Sequence, residues 1–235
     1  MTSSGEPQLL HVVRDNIRRA AERVGRDPAS IRLVVVTKGV PVENLAQAVR
    51  EGARCIGENR LQEALPKIAA LRAAGQDVSW HFIGRLQRRK VRAVVGTFEM
   101  IHSLDSLELA AEIERRGEAM GLRQKVLLEV NLGEEAAKGG FRREELTEAL
   151  PALAALRSLQ VEGLMTIPPY SPESESARPY FRELRELARS LEGLQQGCIG
   201  MHELSMGMSQ DYEIAVEEGA TMVRVGTAIF GARRG

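Results

Sequence analysis

Short runs of consecutive apolar residues alternate along the chain with longer stretches in which apolar positions recur every three or four residues. Eight runs stand out: IRLVVVTK, ARCIGEN, VSWHFIG, FEMIHSL, KVLLEVNL, QVEGLMTI, HELSMG and TMVRVGT. In the first, Val34, Val35 and Val36 leave no polar face, the pattern of a strand covered on both sides in a parallel sheet enclosed by helices. The Ala-, Leu-, Glu- and Arg-rich stretches between runs predict helices over 42–51, 60–73, 88–95, 106–120, 143–156, 174–191 and 210–218. An amphipathic helix over about 6–24, closed by Gly25 and Pro28, precedes them.

Strands alternating with helices imply βαβ units, and eight such units in 235 residues match an α/β fold of the closed, TIM-type (β/α)8 barrel. We therefore expect a single barrel domain over 1–235 with an extra N-terminal helix. An open doubly wound sheet fits less well, because the first βα turn, TKGVPVEN, lacks the GxGxxG phosphate fingerprint. The longest irregular stretch, PPYSPESESARP at 168–179, reads as a mobile surface loop or a lid between the sixth strand and its helix.

Charge narrows the function. Lys plus Arg and Asp plus Glu each number 32, so the net charge is zero and nothing global draws the chain to nucleic acid or anionic membrane. The basic stretch RLQRRKVR is read as a solvated helix face, since helical spacing spreads its charges and no aromatic residues interleave for base stacking. No apolar run approaches the ~18 residues of a membrane span, and the N-terminus has no uninterrupted apolar h-region, so a cytoplasmic protein is expected. Cys55 and Cys198 are far apart and read as small core residues, and no two of the four histidines stand four apart, so no metal is expected. Without a heptad seam, a monomer is the default.

In a closed parallel barrel the residues just past each strand converge on one face, where barrel enzymes place their sites. That rule gathers Lys38, Glu58 with Asn59, Gly84, Ser103 with Asp105, Asn131, Thr166, Ser205 and Thr227. Two turns add more. LSMGMSQD after strand seven and VGTAIFG after strand eight combine small residues with helix starts, whose free N–H groups suit an anion. Ser205, Met206, Gly207, Gly226 and Thr227 are thus phosphate-cradle candidates. Arg224 points opposite to Val223 and Val225, into the barrel or under the helices, as a salt-bridge partner or as a donor to a heteroaromatic nitrogen. By the same alternation, one of Trp80 and His81 lines the barrel while the other packs outside. Lys138 reads as a surface lysine near the mouth.

A lysine at a strand end, a phosphate cradle and an inward arginine suit pyridoxal 5′-phosphate: the amine forms a Schiff base with the aldehyde, and the arginine tunes the ring. The stretches VTKGVP, IGENRLQEALPK, WHFIGRLQRRK, LMTIP and LSMGMSQDYEIAVEEGATMVRVGTAIFGAR resemble the YggS/PROSC family, the pyridoxal phosphate homeostasis proteins, from about Ile31 to Arg233. The resemblance implies a barrel similar to the N-terminal domain of alanine racemase, with the cofactor on Lys38. It also implies phosphate contacts from Ser205, Gly226 and Thr227, a ring-nitrogen contact from Arg224, and pocket walls from Asn59, His81, Met165 and Met206. Arg60, Arg85 and Gln210 depart from the family pattern, which commonly has an aromatic, a proline and an acidic residue there.

An arginine beside the ring nitrogen is a donor that does not give up its proton, so it favours an unprotonated ring, a poor electron sink. Alanine racemase adds a tyrosine base from another domain. Here the sequence ends at Gly235, just past the last barrel element, and no such domain is expected. The reading is therefore a carrier or storage protein for pyridoxal phosphate, serving pyridoxal-phosphate-dependent client enzymes without strong turnover. Two alternatives stay open: an amino-acid racemase-like enzyme with Tyr170 or His202 as second proton carrier, and a Schiff-base aldolase acting through Lys38.

Overall fold

The computed structural model describes residues 9–133, 135, 139–192 and 197–231. All eight apolar runs are strands: β1 (Arg32–Val36), β2 (Cys55–Glu58), β3 (Ser79–Phe82), β4 (Met100–Leu104), β5 (Gln124–Glu129), β6 (Leu159–Met165), β7 (Ile199–Ser205) and β8 (Met222–Val225). They pair in sequence order, all parallel, and β8 returns to β1 to close the barrel. The fold is the expected (β/α)8 barrel.

Alternation along the strands sorts side chains into two cores. Val34 lies in register with Cys55 on one side and Arg224 on the other. With Met100, Leu127, Met165 and Met222 it fills the barrel interior. Their alternate neighbours along the strands, such as Val35, Ile56, Trp80, Phe82, Val223 and Val225, face outward into the larger core under the helices. Both faces are therefore dry, which is why the runs are apolar without interruption.

The helices are α1 (Leu10–Arg23), α2 (Val42–Arg50), α3 (Leu61–Ala73), α4 (Val91–Val94), α5 (Leu107–Met120), α6 (Arg143–Ala154), α7 (Arg178–Glu192), α8 (Tyr212–Glu217) and α9 (Thr227–Phe230). The expected helix at 88–95 is a 3₁₀ turn, Arg88–Lys90, followed by the single turn α4, which stops where Val95 leaves to bridge Phe98. In the 168–179 loop a 3₁₀ turn forms over Ser174–Ala177, and α7 starts at Arg178 because Pro179 suits a first helical turn and not an interior. The helix after β8 is reduced to α9, and α1 lies against α8 and α9 to cover the gap. The Leu9 N–H donates to the Ile229 carbonyl and the Asn16 amide to the Tyr212 hydroxyl, pinning α1 there. Glu218, buried, accepts from Arg178, Arg182 and Arg185, clamping α7 to the end of α8.

The turn from β7 to α8 depends on Gly207. Its φ is +90°, and a Cβ there would sit 2.4 Å from the Ala215 side chain and 3.0 Å from the Tyr212 backbone. Gly207→Ala is expected to destabilise the protein by about 2 to 4 kcal/mol, the sum of left-handed strain and overpacking. An unchanged urea midpoint would show that the turn has another conformation open to it.

Candidate functional site

At the carboxyl ends of the strands the barrel opens into a cavity of about 580 Å³. Lys38, Asn59, Gly84 and Arg85 come to it from the ends of β1, β2 and β3. Met208, Ser209 and Gln210 come from the β7–α8 loop, and Gly226 and Thr227 from the β8–α9 turn. Ile167 and Tyr170 stand at the rim, where Tyr170 is 82 % exposed.

Lys38 is placed there by β1: Val36 is buried against the interior, and the chain then turns through Gly39 toward α2. Among the described residues its amine has no hydrogen-bond or ion-pair partner, and it lines the cavity, open to a ligand. The next residue back, Thr37, faces outward, and its hydroxyl donates to Glu58 at 2.6 Å. Glu58, expected at the mouth, instead turns to the helix layer and pairs with Lys67 on α3. That outward turn follows from alternation, which leaves Gly57 and Asn59 on the inner side.

Asn59 is held close by Gly84, at which any Cβ would lie 2.5 Å from the Asn59 carbonyl oxygen. The Asn59 Oδ1 is buried without a hydrogen-bond partner among the described residues. An acceptor in that state costs free energy unless a ligand donor fills it. Across the cavity, the Ser209 hydroxyl accepts from the Gly226 and Ala228 N–H groups at 3.3 and 3.2 Å. Gly226 caps α9 and Ala228 lies in its first turn, so with Thr227 they form a neutral corner rich in N–H donors.

Arg224 forms the base of the cavity. Its guanidinium donates to the Ser205 hydroxyl at 2.6 Å and to the Thr166 carbonyl at 2.9 Å. Burial pushes its pKa down to about 10, against the opposing pull of Glu129 and Asp211. It remains a cation and a donor at neutral pH. Burial also raises Asp211, while the Met208 N–H that it accepts lowers it.

The structure thus brings Lys38, Asn59, Arg224, Gly226 and Thr227 together around one cavity. Five residues read from the sequence as contacts stand off it, and one of them, Gly207, is packed against Ala215 and Tyr212 in the β7–α8 turn. Ser205 lies below, between Arg224 and His102. Met206 faces the outer core and Met165 the interior core, each fully buried. His81 points into the barrel beneath the cavity, where it bonds His102. The proton carrier considered at His202 lies on a β7 bulge facing Glu162, away from the mouth. Lys138 lies outside the described residues. Sequence reading missed His102 and Ser209. The alternation in EMIHSL, with Met100 inward, could have found the first; the second follows only once the β7–α8 loop is folded.

The two interior histidines set a pH dependence. Burial pushes His81 down to about 4 and His102 well below its ordinary value. The unfolded chain binds these protons first, so stability is full above pH ~6.5 and falls as pH drops through the window toward 4. For His81 alone the loss is about 3 kcal/mol. Urea midpoints at pH 7 and 4.5 should differ accordingly, and a flat profile would show that the imidazoles reach water.

Residues 10–234 match the family model described as the alanine racemase N-terminal domain. A pyridoxal phosphate homeostasis protein of Aquifex aeolicus is 46 % identical over 227 residues, covering 97 % of this chain and 98 % of the relative. The protein of that name from Escherichia coli K12 is 41 % identical over 225 residues, 95 % of each chain. Among solved structures, PipY of Synechococcus elongatus, crystallised with PLP bound, superposes with a TM-score of 0.81 at 37 % identity, over 92 % of this chain and all of PipY. Alanine racemase of Clostridium difficile shares the fold at a TM-score of 0.68 and 18 % identity, the match covering 57 % of that enzyme.

Proposed function

From the premise that this chain belongs to the alanine racemase N-terminal domain family, among the pyridoxal phosphate homeostasis proteins, we propose that it binds and holds pyridoxal 5′-phosphate on Lys38 as a carrier or store. The observation that carries the reading is the Lys38 amine, without a partner among the described residues, facing across one cavity a corner of backbone donors and a buried guanidinium. When bound, pyridoxal phosphate supplies an aldehyde that condenses with amines and a ring that can withdraw electrons.

The residues fit that group. Lys38 provides the amine. The Gly226 and Ala228 amides, now engaged by Ser209, and the Thr227 hydroxyl provide the phosphate corner. Asn59 brings an acceptor that lacks a donor. Arg224 presents N–H groups to a ring nitrogen and keeps its own proton. Ser205 acts through Arg224, and Met165 and His81 support the base from below.

The same geometry favours retention over turnover. A donor at the ring nitrogen withholds the proton that would make the ring a strong electron acceptor. Tyr170, at the rim, is the phenol on the cavity among the described residues, and Tyr212 is tied to Asn16 under α1. No helix of the described residues is long and apolar enough to cross a membrane. We place the protein in the cytoplasm as a monomer, handing cofactor to client enzymes.

The test is an absorbance spectrum of the purified protein with and without added pyridoxal phosphate, then borohydride reduction and peptide mapping. A visible band with the reduced adduct on Lys38 is expected, with racemisation and transamination of common amino acids at background. A colourless protein with no adduct would return a Schiff-base aldolase to the front.

A further inference from the structure

Below Arg224 the barrel interior is crossed by an unbroken line of hydrogen bonds. Arg224 Nη1 donates to Ser205 Oγ at 2.6 Å, and Ser205 Oγ lies 2.9 Å from His102 Nδ1. His102 Nε2 is 2.8 Å from His81 Nδ1, and His81 Nε2 is 3.1 Å from Ser79 Oγ. Ser79 Oγ bonds a carboxylate oxygen of Glu99, which also pairs with Lys125 at 3.2 Å. Arg224, His102 and His81 are buried, and Glu99 and Lys125 are about half exposed at the opposite end of the barrel from the cavity.

The carboxylate end fixes the direction of every hydrogen above it, and the guanidinium end is compatible with that direction. A guanidinium can only donate, so Ser205 accepts from Arg224 and has its own hydrogen for His102 Nδ1. An ionised carboxylate can only accept, so Ser79 donates to Glu99 and accepts from His81 Nε2–H. Glu99 is ionised at neutral pH: the bond from Ser79 is the chief influence lowering its pKa. Both imidazoles are neutral, since burial depresses them. One tautomer satisfies all five bonds: hydrogen on Nε2 and a bare Nδ1 at both His81 and His102. Either ring in the other tautomer would set two donors or two acceptors against each other in a dry interior, at the cost of an unmade buried bond.

We propose that Ser205, His102, His81, Ser79 and Glu99 form a one-directional hydrogen-bond chain that positions Arg224, coupling a carboxylate at the barrel floor to the ligand contact at its mouth. The chain holds the guanidinium in place through a polarised acceptor, so the strength with which Arg224 donates to a heteroaromatic nitrogen depends on Glu99 at the far end of the barrel. The proposed role toward a cofactor ring rests on the reading above; the direction of the chain does not.

The test is nitrogen-15 NMR of histidine-labelled protein free of cofactor, in which protonated and bare ring nitrogens are widely separated. Both interior histidines are expected as pure neutral Nε2–H tautomers at pH 7. Glu99→Leu removes the floor acceptor while touching neither His102 nor Arg224, and is expected to collapse the contrast between the two His102 nitrogens. Ser79→Ala should do the same one bond higher. Each variant should also move the visible band of protein loaded with pyridoxal phosphate, a change that a packing role would not produce. An Nδ1–H tautomer or an imidazolium at either ring in the parent protein would overturn the chain, as would His102 shifts unmoved by both variants. The expected tautomers in a protein that takes up no pyridoxal phosphate would uphold the chain and overturn the cofactor reading alone.

Discussion

Lys38→Ala is expected to abolish the borohydride-reducible adduct and weaken retention of pyridoxal phosphate by at least ~1000-fold, about 4 kcal/mol. The side chain ends a buried strand and faces the cavity, and among the described residues nothing else binds its amine. Its loss should therefore leave the fold within about 0.5 kcal/mol of the parent, as at other surface positions. What remains after the substitution is the phosphate corner and Arg224, which hold a ligand reversibly. Lys38→Arg sharpens the experiment, because it keeps the cation and removes the nucleophilic amine; retention should fall as far as in the alanine variant. Lys67, on the helix after β2, offers no rival amine, because its ammonium is committed to Glu58 at 2.6 Å and to the Thr37 carbonyl. A reducible adduct persisting at another lysine in Lys38→Ala would remove Lys38 from the proposal.

The sequence made the barrel legible because its rules are periodic. Runs such as Val34–Val35–Val36, dry on both faces, can only be buried strands, and eight of them separated by helices admit few closures. The mouth was legible for a related reason: the last residue of each strand has its height set by the strand itself, so Lys38, Asn59, Gly84 and Thr227 all reach the cavity. What could not be read was the phase of each strand, which decides the face that a polar residue takes. Alternation sends Glu58 outward to Lys67 and His102 inward on the side of Met100, so both follow only once the phase of each strand is known. Ser205 and Ser209 differ by one turn of loop, and only the fold of the β7–α8 connection decides that Ser209 takes the amides while Ser205 takes Arg224. The interior chain was hidden for the same reason, since its members come from β3, β4, β7 and β8 and no local spacing joins them.

Lys67→Met should be the most damaging single change to stability outside the cavity. Lys67 and Glu58 lie between α3 and the sheet, their side chains 9 % and 0 % exposed. One ammonium there satisfies two acceptors, Glu58 Oε1 and the Thr37 carbonyl, while the Thr37 hydroxyl gives Glu58 Oε1 its second bond. The other oxygen, Oε2, has no hydrogen-bond partner among the described residues. The carboxylate is thus already short of donors, and removing the ammonium leaves it buried beside one hydroxyl. Breaking a buried pair from one side costs about 3 to 5 kcal/mol, which for a domain of this size lowers the melting temperature by roughly 10 °C. Replacing both partners, Glu58→Leu with Lys67→Met, removes the stranded charge together with its partner and should recover most of that loss. Because Thr37 adjoins Lys38, the single variant should also loosen the strand end that presents the amine, slowing adduct formation before the protein unfolds. Equal melting temperatures for the single and double variants would show that water reaches Glu58, and that the pair contributes packing and not charge balance.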